Sequence, residues 1–146
     1  MISQPASGVA RVVRPALVFL IVLPWLPPLL AHVPVLGSVG GAIDSWFSLH
    51  CHRETARTFS LLAVCWRCYG IYFGLGAGAL LVRPTLTPFA YRIWVLVAAL
   101  ILLLDVLTEV LHMRPPFGPL RFFSGMLLGW PVGVALVLAC RPVDAT

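Results

Sequence analysis

The residues of this chain best suited to chemistry are cysteines and histidines gathered in one short stretch. His50-Cys51-His52 is followed by Cys65-Trp66-Arg67-Cys68, so three of the four cysteines and two of the four histidines fall within nineteen residues. Thiolate sulfur and imidazole nitrogen are ligands that suit transition metals. The same thiols are suited to thiol–disulfide exchange. The stretch therefore predicts a metal site or a redox-active thiol site.

The spacing of these residues fits a tetrahedral metal shell. Cys65 and Cys68 lie three residues apart at the predicted start of a helix, which places both thiols on one face. The helix N-terminus and the adjacent Arg67 both favour the thiolate form. The preceding loop supplies a third cysteine and a histidine. The candidate ligands are Cys51, Cys65, Cys68, His50 and His52. Zinc is the default ion for this set, with copper and iron as alternatives.

Two other interpretations of the cysteines stay open. In the first, Cys65 and Cys68 form a disulfide that exchanges with Cys51 and is reoxidised by a quinone in the bilayer. The second cysteine pair that such an enzyme needs is missing from this chain. In the second, the cysteines are small buried residues without chemistry, as we expect for Cys140. We rank the metal site first because it also accounts for the histidines.

The composition predicts an integral membrane protein. Hydrophobic residues make up 60% of the 146 residues and charged residues only 10%, whereas soluble domains carry about 25% charged residues. The length predicts one domain, residues 1–146. The ten basic residues are all arginines and form no run, so nucleic-acid binding, which needs a contiguous basic surface, is not expected. The expected partner is the lipid bilayer.

The apolar segments predict an all-α fold, a bundle of four transmembrane helices. The predicted spans are residues 15–35, 63–82, 93–111 and 120–139. Pro24, Pro27 and Pro28 should kink or end the first span early. The glycine-rich residues 37–41 predict a break, and residues 42–49 a short interfacial helix before the Cys/His-bearing loop between helices 1 and 2. For the first span, a cleaved signal peptide is the alternative.

The arginines leave the orientation of the bundle nearly balanced. Five lie on the side of the termini and five on the side of the Cys/His motif, so the positive-inside rule gives a tie. The second group clusters around the motif, where arginines can serve a site. We therefore expect cytoplasmic termini, with the motif facing outward from the cell's inner (plasma) membrane.

Glycines recur at four-residue intervals on two of the predicted spans. They are Gly70, Gly74 and Gly78 on the second span and Gly125, Gly129 and Gly133 on the fourth. Small residues at this spacing let helix backbones approach closely in lipid. We therefore predict that these two helices pack against each other along their glycines.

The third predicted span carries a polar face. Asp105 follows four leucine or isoleucine residues, and an ionisable group at membrane depth usually faces the bundle interior or a partner. This face offers His112 as a further ligand, or carboxylates that orient a ligating histidine. A structural ion pair with an arginine is the alternative. The residues predicted to support the ligands or to form such pairs are Arg57, Arg67, Tyr72, Asp105, Thr108, Glu109, His112 and Arg121.

The order of the motifs is similar to that of a known family. The motifs are His50-Cys51-His52, Arg57-Thr58-Phe59, Cys65-Trp66-Arg67-Cys68-Tyr69-Gly70-Ile71-Tyr72-Phe73-Gly74, Asp105-Val106-Leu107-Thr108 and Leu120-Arg121-Phe122-Phe123-Ser124-Gly125. Over roughly residues 46–130 they resemble the small prokaryotic membrane proteins of the domain of unknown function 2085 family. Ser124 stands where that family usually has threonine, and Val64 near a position where proline is frequent. The resemblance implies four membrane helices and motifs that form one unit, and implies no particular activity.

Three functional hypotheses follow from these patterns. The first is a membrane protein with a Cys/His metal site at one membrane face. The second is a membrane thiol–disulfide oxidoreductase that uses the CxxC motif. The third is a non-catalytic accessory subunit of a membrane complex, or a homo-oligomer, for which the paired glycine faces are suited. No hydrolase triad, P-loop or dinucleotide fingerprint occurs in the sequence, and whether the protein is an enzyme stays open.

Overall fold

The regular elements of the described chain are all helices. The computed structural model describes residues 6–51, 62–81 and 87–140, with the backbone alone for residues 6–10 and His50. The helices are α1 (Ala6–Val22), α2 (Leu26–Leu30), α3 (Gly37–His50), α4 (Trp66–Leu80), α5 (Pro88–Val110) and α6 (Gly118–Ala139). A 3-10 turn, Leu23–Trp25, joins α1 to α2. The all-α prediction is confirmed for these residues.

Three helical segments among the described residues are long and apolar enough to cross a membrane. They are Arg11–Leu30 with 20 residues, Pro88–Val110 with 23 and Gly118–Ala139 with 22. The 15 residues of α4 rise only about 22 Å, less than the roughly 30 Å of bilayer hydrocarbon. Residues 82–86, which follow α4, lie outside the described part of the chain. The second of the predicted spans, residues 63–82, therefore stays a prediction.

The first apolar segment breaks at its prolines, as predicted. α1 gives way to the 3-10 turn at Leu23–Trp25, and α2 ends at Leu30. Pro24 and Pro27 lack the backbone N–H that would continue an α-helical hydrogen-bond ladder. The 3-10 turn also holds the chain that enters α4, because the N–H of Ala63 donates to the carbonyl of Pro24 at 3.3 Å.

The predicted break at residues 37–41 is wrong, because these glycines begin α3. Glycine costs a helix up to about 1 kcal/mol relative to alanine. The compensation at Gly40 comes from packing. A Cβ there would lie 3.1 Å from the Leu30 Cβ and 3.3 Å from the Pro27 carbonyl oxygen. The missing side chain lets α3 fold back closely onto α2, so tertiary packing outweighs local propensity.

The most extensive helix contact in the described chain joins α4 to α6. We call its six glycines the glycine seam: Gly70, Gly74, Gly78, Gly125, Gly129 and Gly133. A Cβ on Gly74 would lie 2.6 Å from the Met126 carbonyl oxygen and 2.8 Å from the Trp130 nitrogen. The glycines of α6 in turn face the carbonyls of Arg67, Ile71 and Leu75. Each seam glycine therefore meets the backbone of the other helix, which confirms the predicted packing.

α1 and α5 flank this central pair. Arg14 on α1 donates from Nε to the carbonyl of Ala79 at 3.0 Å and from Nη2 to that of Leu80 at 2.9 Å. These carbonyls end α4 and have no partner within the helix, so Arg14 caps α4 and complements its dipole. α5 begins at Pro88 because proline suits the first helical turn and the Thr87 hydroxyl accepts from the Ala90 N–H at 3.3 Å.

We predict that Gly129→Ala destabilises the protein by about 1–3 kcal/mol, the usual cost of overpacking. Its Cβ would meet the Ile71 carbonyl, a backbone group that cannot rotate away. Denaturation in a detergent titration, followed by circular dichroism, measures the effect. Gly41→Ala is the matched control, since its Cβ would have no neighbour within 4 Å in the described part of the chain, and it should leave stability unchanged or raise it by up to about 1 kcal/mol. Equal effects of the two changes would contradict the seam.

Candidate metal site and ionic network

The helix ends at α3 and α4 bring three cysteines together. Cys51 is the residue at which α3 ends, and its N–H donates to the Phe47 carbonyl at 2.9 Å. Cys65 is the extended residue that precedes α4, and Cys68 lies in the first turn of that helix. The three Sγ atoms lie within 4.8 Å of one another. Cys51 is buried, and the other two are half-buried. We call these three side chains the thiol cluster.

Apolar and aromatic side chains pack around the thiol cluster. Phe47, Cys51, Ala63 and Val64 form one buried group, against which Cys65 and Cys68 pack. The half-buried Tyr72 also packs there, with its ring 6.0 Å from that of Phe47. The surroundings thus offer little polar solvation, which raises the cost of unpaired charge on the sulfurs.

Hydrogen bonds tie the cysteines to one another. The N–H of Cys65 donates to the Cys51 sulfur at 3.3 Å. A hydrogen bond with the Cys65 side chain raises the pKa of the Cys51 thiol above its ordinary value. Neighbouring thiolates repel each other, so such a cluster holds several negative charges only when a cation neutralises them. Protons or a soft metal ion neutralise this charge, whereas a disulfide removes two of the thiolates.

The predicted histidines are described only in part. The backbone of His50 closes α3, while its side chain and the whole of His52 lie outside the described residues, as does Arg57. His112 is exposed in the turn after α5, with a positive φ of 55°. It does not belong to the group formed by the three sulfurs among the described residues.

The acidic face of α5 meets arginines from both neighbouring helices and from a turn. Asp105 is buried and accepts from Nη2 of Arg67 at 2.6 Å and from the Ser124 hydroxyl at 3.1 Å. Its other oxygen pairs with Arg114. One carboxylate therefore joins α4, α6 and the turn that follows α5. We call the whole group the ionic network: Arg67, Asp105, Glu109, Arg114, Arg121 and Ser124.

Glu109, one turn further along α5, makes the second centre of the ionic network. It is buried and accepts from Nε of Arg121 at 2.9 Å, with a second contact to that guanidinium group. Nη2 of Arg67 donates at 3.3 Å to Oε2, the same oxygen that accepts from Nε of Arg121. Arg121 is only 2% exposed. Buried charges of this kind are tolerated because each one is paired and hydrogen-bonded.

The sequence did not single out Arg114 or assign Ser124 a role at Asp105. Arg114 lies beyond the end of α5 and turns back along it, with Nε donating to the Thr108 hydroxyl at 3.1 Å and Nη2 to the Asp105 carbonyl at 3.1 Å. The only signal in the sequence is an arginine in a short turn after a helix that carries a buried carboxylate. That signal does not fix the fold of the turn.

Arg67 connects the ionic network to the thiol cluster through the first turn of α4. It stands between Cys65 and Cys68, yet its guanidinium group reaches Asp105 and Glu109 on α5. The cysteines meanwhile pack towards Phe47 on α3. The two groups therefore lie on different sides of the start of α4, so one rotation of this helix places both of them.

A helical protein with membrane-length helices and a buried ionic network belongs to the class of membrane proteins. More particularly, the chain belongs to the family described as predicted membrane protein DUF2085, whose model matches residues 51–135. The matched region contains the thiol cluster and the ionic network.

Two archaeal proteins are similar to this chain. The uncharacterized protein MJ1492 of Methanocaldococcus jannaschii is 34% identical over 99 residues, which cover 59% of this chain and 60% of that protein. An uncharacterized protein of Methanothermobacter thermautotrophicus is 34% identical over 103 residues, which cover 65% of this chain and 87% of that protein. The chain thus spans less than two thirds of the first relative. No solved structure matches the chain.

We predict that Asp105→Asn lowers the stability of the protein by about 3 kcal/mol, since it leaves Arg67 and Arg114 without their shared counter-charge. Ser124→Ala removes a single neutral donor to the same carboxylate and should cost only about 1 kcal/mol. Detergent denaturation of both variants beside the wild type gives the comparison. An Asp105→Asn variant as stable as Ser124→Ala would show that the carboxylate charge does not hold the three elements together.

Proposed function

We propose that the protein is a four-span integral membrane protein that binds one zinc ion at a membrane face. Cys51, Cys65 and Cys68 supply three ligands, and either His50 or His52 supplies the fourth. The convergence of three sulfurs within 4.8 Å is the observation that carries this proposal. In this account α4 is the core of the second predicted span, residues 63–82, completed by the residues on either side of it.

The separation of the sulfurs is close to that of a zinc–thiolate site. Zn–S bonds of about 2.3 Å in a tetrahedral shell place the sulfurs about 3.8 Å apart. The sulfurs of the cluster lie within 4.8 Å of one another, so a bound ion would draw them together by at most about 1 Å to reach this separation. The N–H that Cys65 donates to the Cys51 sulfur supports the same assignment, because hydrogen bonds to sulfur favour the thiolate that binds metal.

The position of the ligands favours a structural role for the metal. Cys51 ends α3, whereas Cys65 and Cys68 begin α4, so the ion would join the two ends of the segment between these helices. A shell of three cysteines and one histidine is closed and leaves no position for substrate. The zinc would therefore pin residues 50–60 onto the start of α4 and stabilise this end of the bundle.

Thiol–disulfide exchange is the second candidate function. The mutual approach of all three thiols supports it, since Cys51 is placed to exchange with a disulfide between Cys65 and Cys68. This reaction requires an electron acceptor, for which a membrane quinone would serve. We rank it below zinc binding because it assigns no role to the two histidines that flank Cys51.

For the setting of the site we propose cytoplasmic termini in the plasma membrane, with the thiol cluster at the outward face. Arg14, which caps α4 at its far end, belongs to the arginine group on the side of the termini. In the other group, Arg67, Arg114 and Arg121 pair with carboxylates. Their charges therefore say little about which side of the membrane they occupy, which supports a special role for this group. Association with a partner protein stays a prediction.

We predict close to one zinc ion per chain in detergent-purified protein, measured by elemental mass spectrometry with a purification tag that contains no histidines. The Cys65→Ser/Cys68→Ser variant should lose the ion, because two of its four ligands are gone. Cys140→Ser is the matched control, as Cys140 lies at the end of α6, and should keep the ion. Wild-type protein without metal and with a Cys65–Cys68 disulfide would contradict the proposal and favour thiol exchange.

We further predict that only one of His50→Ala and His52→Ala weakens zinc binding, by at least about tenfold, since a tetrahedral ion has room for a single histidine beside three cysteines. Competition with a fluorescent zinc chelator measures the affinity. His32→Ala, at an exposed residue beyond α2, is the control. Unchanged affinity in both variants would remove the histidines from the shell.

A further inference from the structure

Two arginine donors of the ionic network have no acceptor among the residues that the structure describes. They are Nε of Arg67 and Nη1 of Arg114, both shielded from solvent. The other groups of Arg114 are used, since Nε donates to the Thr108 hydroxyl and Nη2 to Asp105. A buried donor without an acceptor costs about 1–3 kcal/mol, and more when it is charged. Such groups call for an acceptor that the described part of the chain does not supply.

The ionic network holds three arginines and two carboxylates, and Arg67 and Arg114 share one of these carboxylates, Asp105. Asp105 accepts from Arg67 through Oδ2 and pairs with Arg114 through Oδ1, so it holds two guanidinium groups beside each other. Arg67 also lies in the first turn of α4, and Arg114 lies just before α6. The N-terminal ends of helices carry partial positive charge. The potential between these two arginines therefore favours an additional anion.

Access to the site differs from access to the rest of the ionic network. The side chains of Arg67 and Arg114 are 21% and 23% exposed, whereas that of Arg121 is 2% exposed. The first two thus border the surface at the end of the bundle, where α4 and α6 begin. A ligand can approach both side chains from the aqueous phase or from the headgroup layer, and it reaches the shielded Nε of Arg67 and Nη1 of Arg114 once these side chains rotate outward.

We propose that Arg67 and Arg114 bind a phosphate-type oxyanion. Guanidinium groups present paired N–H donors that match the oxygens of a phosphate, which is why arginine is frequent in such sites. One oxyanion bridging the two arginines supplies acceptors to both unused donors and shares the positive charge with Asp105. The source is a phospholipid headgroup or free phosphate. The inference stands apart from zinc binding, since neither arginine is a proposed metal ligand.

The test compares the full-length protein in detergent with three lysine variants. Arg67→Lys and Arg114→Lys keep a positive charge for Asp105 but lose the paired donors. Arg92→Lys, at an exposed residue near the start of α5, makes the same chemical change at the opposite end of that helix. Isothermal titration calorimetry with inorganic phosphate and, separately, with dihexanoyl phosphatidylglycerol gives the affinities. Circular dichroism checks that each variant is folded.

We expect the wild type to bind at least one of the two probes, and each of the two site variants to bind it about tenfold more weakly, the cost of one charge-assisted hydrogen bond. Arg92→Lys should match the wild type. Binding of inorganic phosphate identifies a free oxyanion as the source, and binding of the lipid alone identifies a headgroup.

Two results would overturn the assignment. One is a wild type that binds neither probe, and the other is an affinity that both site variants retain. If a site variant does not fold, the wild type alone still decides the matter. Its unfolding temperature should rise with phosphate relative to chloride at equal ionic strength, because a ligand that binds only the native state stabilises it. An equal temperature in the two salts, with no lipid binding, would count as refutation.

Discussion

The close approach of α4 and α6 is the constraint on which the rest of the structure depends. Each of their six seam glycines faces the backbone of the other helix, so no Cβ separates the two backbones at these positions. Without hydrophobic driving force in lipid, such packing supplies much of the helix association. It also fixes how α4 is rotated and how far it slides along α6. This contact therefore determines the position of every group at the start of α4, including the two cysteines.

The fixed rotation of α4 explains how two chemically different groups share one helical turn. Arg67 points towards α5, where Asp105 and Glu109 compensate its charge, and the cysteines point towards Phe47 at the end of α3. A rotated α4 would leave a buried charge unpaired, which costs several kcal/mol. The ionic network therefore adds electrostatic specificity to the close packing, and together they hold the thiol cluster in place at one end of the bundle.

Local patterns predicted the features of this protein that depend on spacing along one element. Glycines every four residues predicted the seam, and prolines predicted the break after α1, because both effects arise from the backbone itself. The break predicted at residues 37–41 failed because α2 lies against Gly40 and supports the helix. The role of Arg114 was not predicted for a similar reason, because only the folded turn brings its guanidinium group to the Asp105 carbonyl. Contacts between elements that depend on the conformation of a turn cannot be predicted from the periodicity of the sequence.

The central claim is that the thiol cluster and one histidine form a zinc shell, and X-ray absorption at the zinc edge tests it most directly. The account predicts a first shell of three sulfurs at about 2.3 Å and one nitrogen at about 2.0–2.1 Å in protein purified without added metal. A shell built only of nitrogen and oxygen would contradict it, because the ion would then lie away from Cys51, Cys65 and Cys68. Absence of any zinc signal from folded protein would contradict it equally.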